Sequence, residues 1–188
     1  MTIPNRLTVA RIFMSPVFYI LFVLSQSFPE GYWLLTAWVV YLVAEFTDIL
    51  DGWVARKWDM VSDLGKVLDP FADVVSRITY FAIFLQMGIF PLWAFLPILY
   101  RELGITFLRM VLLKKGKVMA ANWAGKAKAW FYFGSSLGAL SYSTFIENLG
   151  TSAPDVLLGL QILFGITAGI SVLSIIPYLK TALEVESS

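Results

Sequence analysis

The chain has 188 residues, of which 59% are hydrophobic and 14% are charged, and its mean hydropathy is +0.75. This composition is too apolar for an ordinary soluble domain and predicts a single all-α domain, residues 1–188, embedded in a membrane. The net charge of +1 gives no indication of nucleic-acid binding. Because cysteine and histidine are absent, disulfides, thiol chemistry and histidine bases are excluded, and acid–base or metal chemistry must use carboxylates.

The apolar runs predict a polytopic membrane protein with a short polar interfacial segment at the N-terminus and six transmembrane helices. The spans are expected at about 7–27, 33–56, 66–87, 91–113, 126–144 and 155–179. Lys and Arg cluster at alternate connections and are absent from the others. The basic set comprises Arg6, Arg56, Lys57, Lys114, Lys115, Lys117, Lys126 and Lys180. The positive-inside rule then predicts a cytoplasmic-membrane protein with both termini in the cytoplasm.

Four aspartates lie where the second predicted span ends and the third begins. Asp48 and Asp51 are three residues apart, so they project from one helix face, and Asp69 and Asp73 do the same at a spacing of four. Acids in an apolar protein need a compensating charge, and a divalent metal with oxygen ligands is the simplest candidate. Two metals about 3.5–4 Å apart would clamp a phosphoryl group. The last acid, Asp73, is the natural general base for an incoming hydroxyl.

Small residues between the aspartates suit a substrate that approaches the backbone closely. Gly52 and Gly65 leave room that any side chain would fill. Ala55 lies one turn further along the helix and is small enough for a flat base or a ribose to pack beside it. Arg56 is placed to pair with a phosphate oxygen or to fix a motif carboxylate.

The start of the third span carries a capping signal. Ser62 or Asp63, just before Gly65, is placed to cap the helix. The positive end of the helix dipole would then face a bound phosphate.

The complete spacing D-x2-D-G-x2-A-R-x8-G-x3-D-x3-D, from Asp48 to Asp73, resembles the signature of the CDP-alcohol phosphatidyltransferase family. This resemblance implies that an alcohol hydroxyl attacks the lipid-linked phosphate of CDP-diacylglycerol and expels CMP. It also implies two divalent metal ions, Mg²⁺ or Mn²⁺, and a homodimer. The implied metal ligands are Asp48, Asp51, Asp69 and Asp73, with Asp73 also acting as base. The implied CDP-lipid pocket is lined by Gly52, Ala55, Arg56 and Gly65.

Further segments resemble the phosphatidylglycerophosphate synthases within this family. They are Ile3–Arg11, Arg101-Glu102, Arg109 and Gly125–Lys128. An acceptor that bears a phosphate needs cations near the reacting centre. Arg101 and Arg109 are eight residues apart and can share a helix face, while Lys126 and Lys128 open the next span from the same membrane side. These four residues are the candidates for binding the phosphate of glycerol 3-phosphate.

Several alternatives stay open from the sequence. Val74 stands where many bacterial phosphatidylglycerophosphate synthases carry Lys, so another acceptor (inositol phosphate, then serine or choline) is an alternative. Glu102 or Glu45 is an alternative partner for the two arginines. A small cation carrier is the non-enzymatic alternative, because buried carboxylates also mark ion pathways. A carrier is expected to place acids at mid-membrane depth in repeated halves, whereas these acids cluster at one end.

Overall fold

The computed structural model describes residues 2–28, 31–58, 62–116, 123–147 and 153–186, and every regular element within these ranges is helical. The helices are α1 (Ile3–Ser27), α2 (Trp33–Lys57), α3 (Asp63–Gln86), α4 (Leu92–Lys114), α5 (Trp123–Tyr142), α6 (Pro154–Leu173) and α7 (Ile176–Glu186). A π-helical turn, Ser143–Glu147, follows α5. The predicted all-α fold is confirmed.

The helices differ most from the predicted spans in the first and the last of them. The expected polar interfacial segment forms the first turn of α1, because Pro4 occupies an early helical position where its missing N–H is not needed. The last predicted span is divided into α6 and α7 by a break after Leu173.

Three helical segments among the described residues are long and apolar enough to cross a membrane. They are Pro4–Ser27, Trp33–Val54 and Pro154–Thr181. The helices α3 and α4 are of similar length but carry several acidic and basic side chains. The chain is therefore a multi-pass membrane protein of all-α fold, while membrane crossing by α3, α4 and α5 stays a prediction.

The chain forms two compact units, Met1–Ile83 and Phe84–Ser188. The first unit contains α1, α2 and most of α3. Three buried rings pack at its centre: Phe18 lies edge-on to Tyr80, with centroids 5.0 Å apart, and Tyr41 packs against both. This aromatic cluster holds one residue from each helix, so it fixes how the three helices approach one another.

The second unit contains the end of α3 and the helices α4 to α7. The rings of Phe90 and Phe164 stack at its core, with centroids 4.1 Å apart. Trp93 packs against α6 at Gly165, where a Cβ atom would come within 2.8 Å of the indole. The glycine thus allows α6 to approach the indole of Trp93 closely.

Candidate functional site: carboxylates of two helices held by a third

Two of the predicted metal ligands meet in the first unit. Helix α2 places Asp48 and helix α3 places Asp73, and their side chains are 37% and 30% exposed. Between them lies the guanidinium of Arg11, which comes from α1 and is only 3% exposed. Its Nη1 atom contacts Asp48 Oδ1 and lies 3.2 Å from Asp73 Oδ1. Two carboxylate oxygens from different helices therefore converge on one cation.

Asp69 lies one turn before Asp73 on the same face of α3. Its Oδ1 atom accepts a hydrogen bond of 2.7 Å from the hydroxyl of Thr8, which is fully buried on α1. The same hydroxyl lies 3.0 Å from the carbonyl oxygen of Pro4, one turn earlier in its own helix. The orientation of Asp69 is therefore set by α1.

A small cavity opens beside Asp48 and Asp73. Its lining residues are Arg11, Ala44, Glu45, Asp48, Asp73, Ser76, Arg77 and Tyr80. Arg77 lies one turn after Asp73, with Nη2 at 3.9 Å from Asp73 Oδ2. The cavity is thus lined by carboxyl groups, two guanidinium groups and hydroxyls, which suits a polar and charged substrate.

The predicted capping of the third span by Ser62 is confirmed. Ser62 Oγ accepts a hydrogen bond of 3.0 Å from the backbone N–H of Gly65, and Asn5 Nδ2 donates to the same oxygen at 3.0 Å. A Cβ atom at position 65 would lie 3.0 Å from Asn5 Oδ1 and 3.1 Å from Ser62 Oγ. A side chain at position 65 would crowd both atoms, so the glycine favours the close approach of α1 to the start of α3.

Several predicted site residues cannot be placed in full. Asp51, Ala55 and Arg56 belong to α2, but their side chains lie outside the described part of the structure. Gly52 is half-buried in the same helix. Among the described side chains, no three acidic groups come close enough together to hold a metal ion.

Two of the predicted acceptor-binding cations lie together in the second unit. Arg101 and Lys128 are buried, and both contact Glu102 Oε1, at 2.9 Å from Arg101 Nη1 and 2.7 Å from Lys128 Nζ. Arg101 also donates to Ser174 Oγ, and the Tyr132 hydroxyl donates to Glu102 Oε1 at 2.9 Å. Glu102, one of the two alternative partners named from the sequence, is thus the partner of Arg101. These described contacts join two cations to one carboxylate.

The other two predicted cations are more accessible. Arg109 is half-buried, donates to the Tyr178 hydroxyl at 2.8 Å, and lies over the Tyr178 ring at 5.2 Å from its centroid. Lys126, in the first turns of α5, is exposed. The second unit therefore presents buried cations held by Glu102 together with cations that can reach solvent or ligand.

Three residues close to the predicted aspartates were not predicted from the sequence as part of the site. They are Thr8 and Arg11 on α1, and Glu45 on α2, which lines the same cavity as Asp48. Thr8 and Arg11 lie in the segment Ile3–Arg11, for which the sequence indicated a family resemblance but no site role. Their spacing from Asn5, three residues at each step, is the signal that would have identified them, because polar side chains at helical spacing share one face.

Comparisons with known proteins agree with the motif. A model of the CDP-alcohol phosphatidyltransferase family matches residues 1–173. The CDP-diacylglycerol–glycerol-3-phosphate 3-phosphatidyltransferase of Bacillus subtilis (strain 168) is 31% identical over 177 residues, which are 89% of this chain and 91% of that relative. The protein of the same name from Escherichia coli (strain K12) is 29% identical over 185 residues, which are 96% of this chain and 94% of that relative. The protein of the same name from Treponema pallidum (strain Nichols) is 42% identical over 102 residues, which are 54% of this chain and 47% of that relative. The chain therefore belongs to the CDP-alcohol phosphatidyltransferase family.

Proposed function

We propose that the chain transfers the phosphatidyl group of CDP-diacylglycerol to glycerol 3-phosphate, giving phosphatidylglycerophosphate and CMP. An acceptor hydroxyl oxygen bonds to the phosphorus that carries the diacylglycerol, the bond from that phosphorus to CMP breaks, and the hydroxyl proton passes to a base. The observation that carries this proposal is the convergence of Asp48 and Asp73 within a complete family motif. The printed names of the relatives give the same donor and acceptor.

The donor set of the cluster fits divalent metal. Asp48 and Asp73 place oxygens close enough to share one guanidinium nitrogen, and Asp69 is one turn away. Carboxylate oxygens are the ligands that Mg²⁺ and Mn²⁺ prefer. We infer that Asp48, Asp51, Asp69 and Asp73 hold two such ions, which when bound neutralise charge on the diphosphate of the CDP-lipid.

Asp73 is the residue that we assign as base. It lines the cavity and is partly exposed, so an acceptor hydroxyl can come within hydrogen-bond distance of it. Gly52, Ala55, Arg56 and Gly65 are assigned to the CDP-lipid pocket on the strength of the family motif. The described contacts of Gly65 add that its missing side chain also accommodates Asn5.

Cations of the second unit are assigned to the acceptor phosphate. Arg101 and Lys128 both contact the carboxylate of Glu102, so two buried cations lie together there. A phosphate is the kind of ligand that such a cluster attracts. Arg109 and Lys126 are the more accessible members, and we expect them to make the direct contacts.

The distribution of basic residues supports an orientation with both termini and the carboxylate cluster on the cytoplasmic side. A homodimer stays a prediction from the family resemblance.

The reaction is tested by CMP release from the purified protein in detergent, with CDP-diacylglycerol and either Mg²⁺ or Mn²⁺. We expect metal-dependent release with glycerol 3-phosphate and a lipid product with the mass of phosphatidylglycerophosphate. Release only with inositol phosphate, serine, inositol or choline would keep the reaction class and contradict the acceptor. Absence of release with every acceptor, together with divalent-ion flux into proteoliposomes, would favour the carrier.

The assignment of the base is tested with Asp73→Asn. This change keeps the shape of the side chain and removes its proton affinity, so we expect turnover to fall by about 10²–10⁴-fold while CDP-lipid binding is partly retained. Turnover is measured by CMP release and binding by equilibrium titration with the CDP-lipid. Asp155→Asn, an exposed acid in the first turn of α6, is the matched control and should behave as wild type. Turnover of Asp73→Asn within a few-fold of wild type would contradict the role.

The acceptor site is tested with Lys126→Ala and Arg109→Ala. Loss of a charge-assisted phosphate contact should raise KM for glycerol 3-phosphate by about 10–100-fold, roughly 1.5–3 kcal/mol, with a smaller effect on kcat. Lys180→Ala, an exposed lysine on α7, is the control for charge alone. Tyr178→Phe removes the hydrogen bond to Arg109 but keeps the cation and the ring beside it, so its acceptor KM should stay near that of wild type. If the KM for glycerol 3-phosphate is unchanged in both alanine variants, Lys126 and Arg109 do not bind the acceptor and have a structural role.

The orientation is tested by cysteine labelling, because the chain has no cysteine of its own. Ser27→Cys, exposed at the end of α1, should react with a membrane-impermeant maleimide added from outside. Thr181→Cys, exposed on α7, should react only after the cytoplasmic membrane is opened. The reverse pattern would overturn the proposed orientation.

A further inference from the structure

One face of α1 is polar although the helix is apolar enough to cross a membrane. Asn5, Thr8, Arg11 and Ser15 follow one another at spacings of three, three and four residues, so they share that face. Their exposed fractions are 4%, 0%, 3% and 0%. Burying polar groups is costly unless they meet partners, so a row of four buried polar side chains indicates that the face is built for specific contacts.

The partners of this polar face lie on the motif helices. Asn5 contacts the cap residue Ser62, Thr8 contacts Asp69, and Ser15 Oγ lies 2.8 Å from Ser76 Oγ. Arg11 contacts Asp48 on α2 and Asp73 on α3. Three of the four acids of the family motif are therefore contacted by two residues from outside the motif.

We propose that Thr8 and Arg11 are positioning residues that set the affinity of the carboxylate cluster for divalent cations, Arg11 as a competing counter-ion and Thr8 as an orienting donor. This inference rests on the proposed function, because it takes Asp48, Asp69 and Asp73 as metal ligands. The two residues act in opposite directions, and this difference separates the proposal from a general effect on folding.

Arg11 lowers metal affinity. Its guanidinium occupies the position where the oxygens of Asp48 and Asp73 converge, so a divalent cation must share or replace its contacts. It also brings a positive charge close to the incoming cation, and like charges in a site of low dielectric repel strongly. The same guanidinium compensates two partly buried acids and joins α2 to α3.

Thr8 raises metal affinity. Its hydroxyl donates to Asp69 Oδ1 at 2.7 Å from a fully buried position, so that oxygen and the plane of the carboxylate are fixed. Donors that orient a metal-binding carboxylate typically contribute about 10–100-fold in metal affinity. Without the hydroxyl, Asp69 can rotate away from the orientation that binds metal.

The experiment is a titration of the purified full chain in detergent with Mn²⁺, without substrate, in which free Mn²⁺ is measured by electron paramagnetic resonance. Arg11→Met keeps the length of the side chain and removes its charge, and it should tighten Mn²⁺ binding by about ten-fold or more. Thr8→Val keeps the shape and removes the donor, and it should weaken binding by about 10–100-fold. Arg11→Lys and Thr8→Ser restore charge and hydroxyl, and both should bind Mn²⁺ within a few-fold of wild type.

Ser15→Ala is the matched control, because Ser15 lies on the same buried face but contacts Ser76 and none of the aspartate side chains that the structure describes. Its Mn²⁺ affinity should equal that of wild type. If Thr8→Val and the Arg11 variants also bind Mn²⁺ as wild type does, the inference is overturned while the proposed metal site stands. If wild type itself binds no Mn²⁺, the metal site of the proposed function fails first. If size-exclusion chromatography shows that Arg11→Met does not fold, the Mn²⁺ affinities of Thr8→Val and Thr8→Ser are compared instead. Weaker binding by Thr8→Val than by Thr8→Ser supports the inference, and equal binding overturns it.

Discussion

The carboxylate site depends on one ion-pair arrangement: a buried guanidinium shared by acids from two different helices. Taking a charge out of water costs several kcal/mol per ion unless a partner compensates it. Arg11 compensates both Asp48 and Asp73, so a side chain of α1 joins α2 and α3 at the motif. The aromatic packing within the same unit fixes the three helices along their length. The geometry of the motif is therefore a property of three helices, although all its acids lie on two.

The second unit also buries charged side chains that need partners, but in its ion pairs two cations contact one carboxylate. There, one buried carboxylate, Glu102, is shared by Arg101 and Lys128. In the first unit, carboxyl groups outnumber guanidinium groups among the described residues around the cavity. One unit thus has chemistry suited to divalent cations and the other has chemistry suited to an anion. These two charge patterns match the two groups named in the proposed reaction, a diphosphate that would bind divalent metal and an acceptor phosphate that would bind cations.

The sequence predicted those parts of the fold and site that depend on local spacing. The helices follow from apolar runs, the facing of Asp69 and Asp73 follows from a spacing of four, and the Ser62 cap follows from its place before α3. The contacts of Thr8 with Asp69 and of Arg11 with Asp48 join residues 61 and 37 positions apart. No periodicity specifies such pairs, because they depend on how helices pack. The polar spacing on α1 predicts that its face is buried but not which acids it meets.

The surroundings of Asp73 also bear on Val74, which stands where many bacterial phosphatidylglycerophosphate synthases carry Lys. Val74 is buried with 5% exposure, so its side chain packs in the core, whereas Arg77 lies one turn after Asp73 beside the cavity. The contact from Arg77 Nη2 to Asp73 Oδ2, at 3.9 Å, is too long for a hydrogen bond, while Oδ1 faces Arg11 at 3.2 Å. We therefore assign Oδ2 as the oxygen that takes the hydroxyl proton in the proposed reaction. Arg77 thus places a positive charge beside the Asp73 carboxylate, on the same helix as Val74. A positive charge near the proposed base is therefore present without a lysine at position 74.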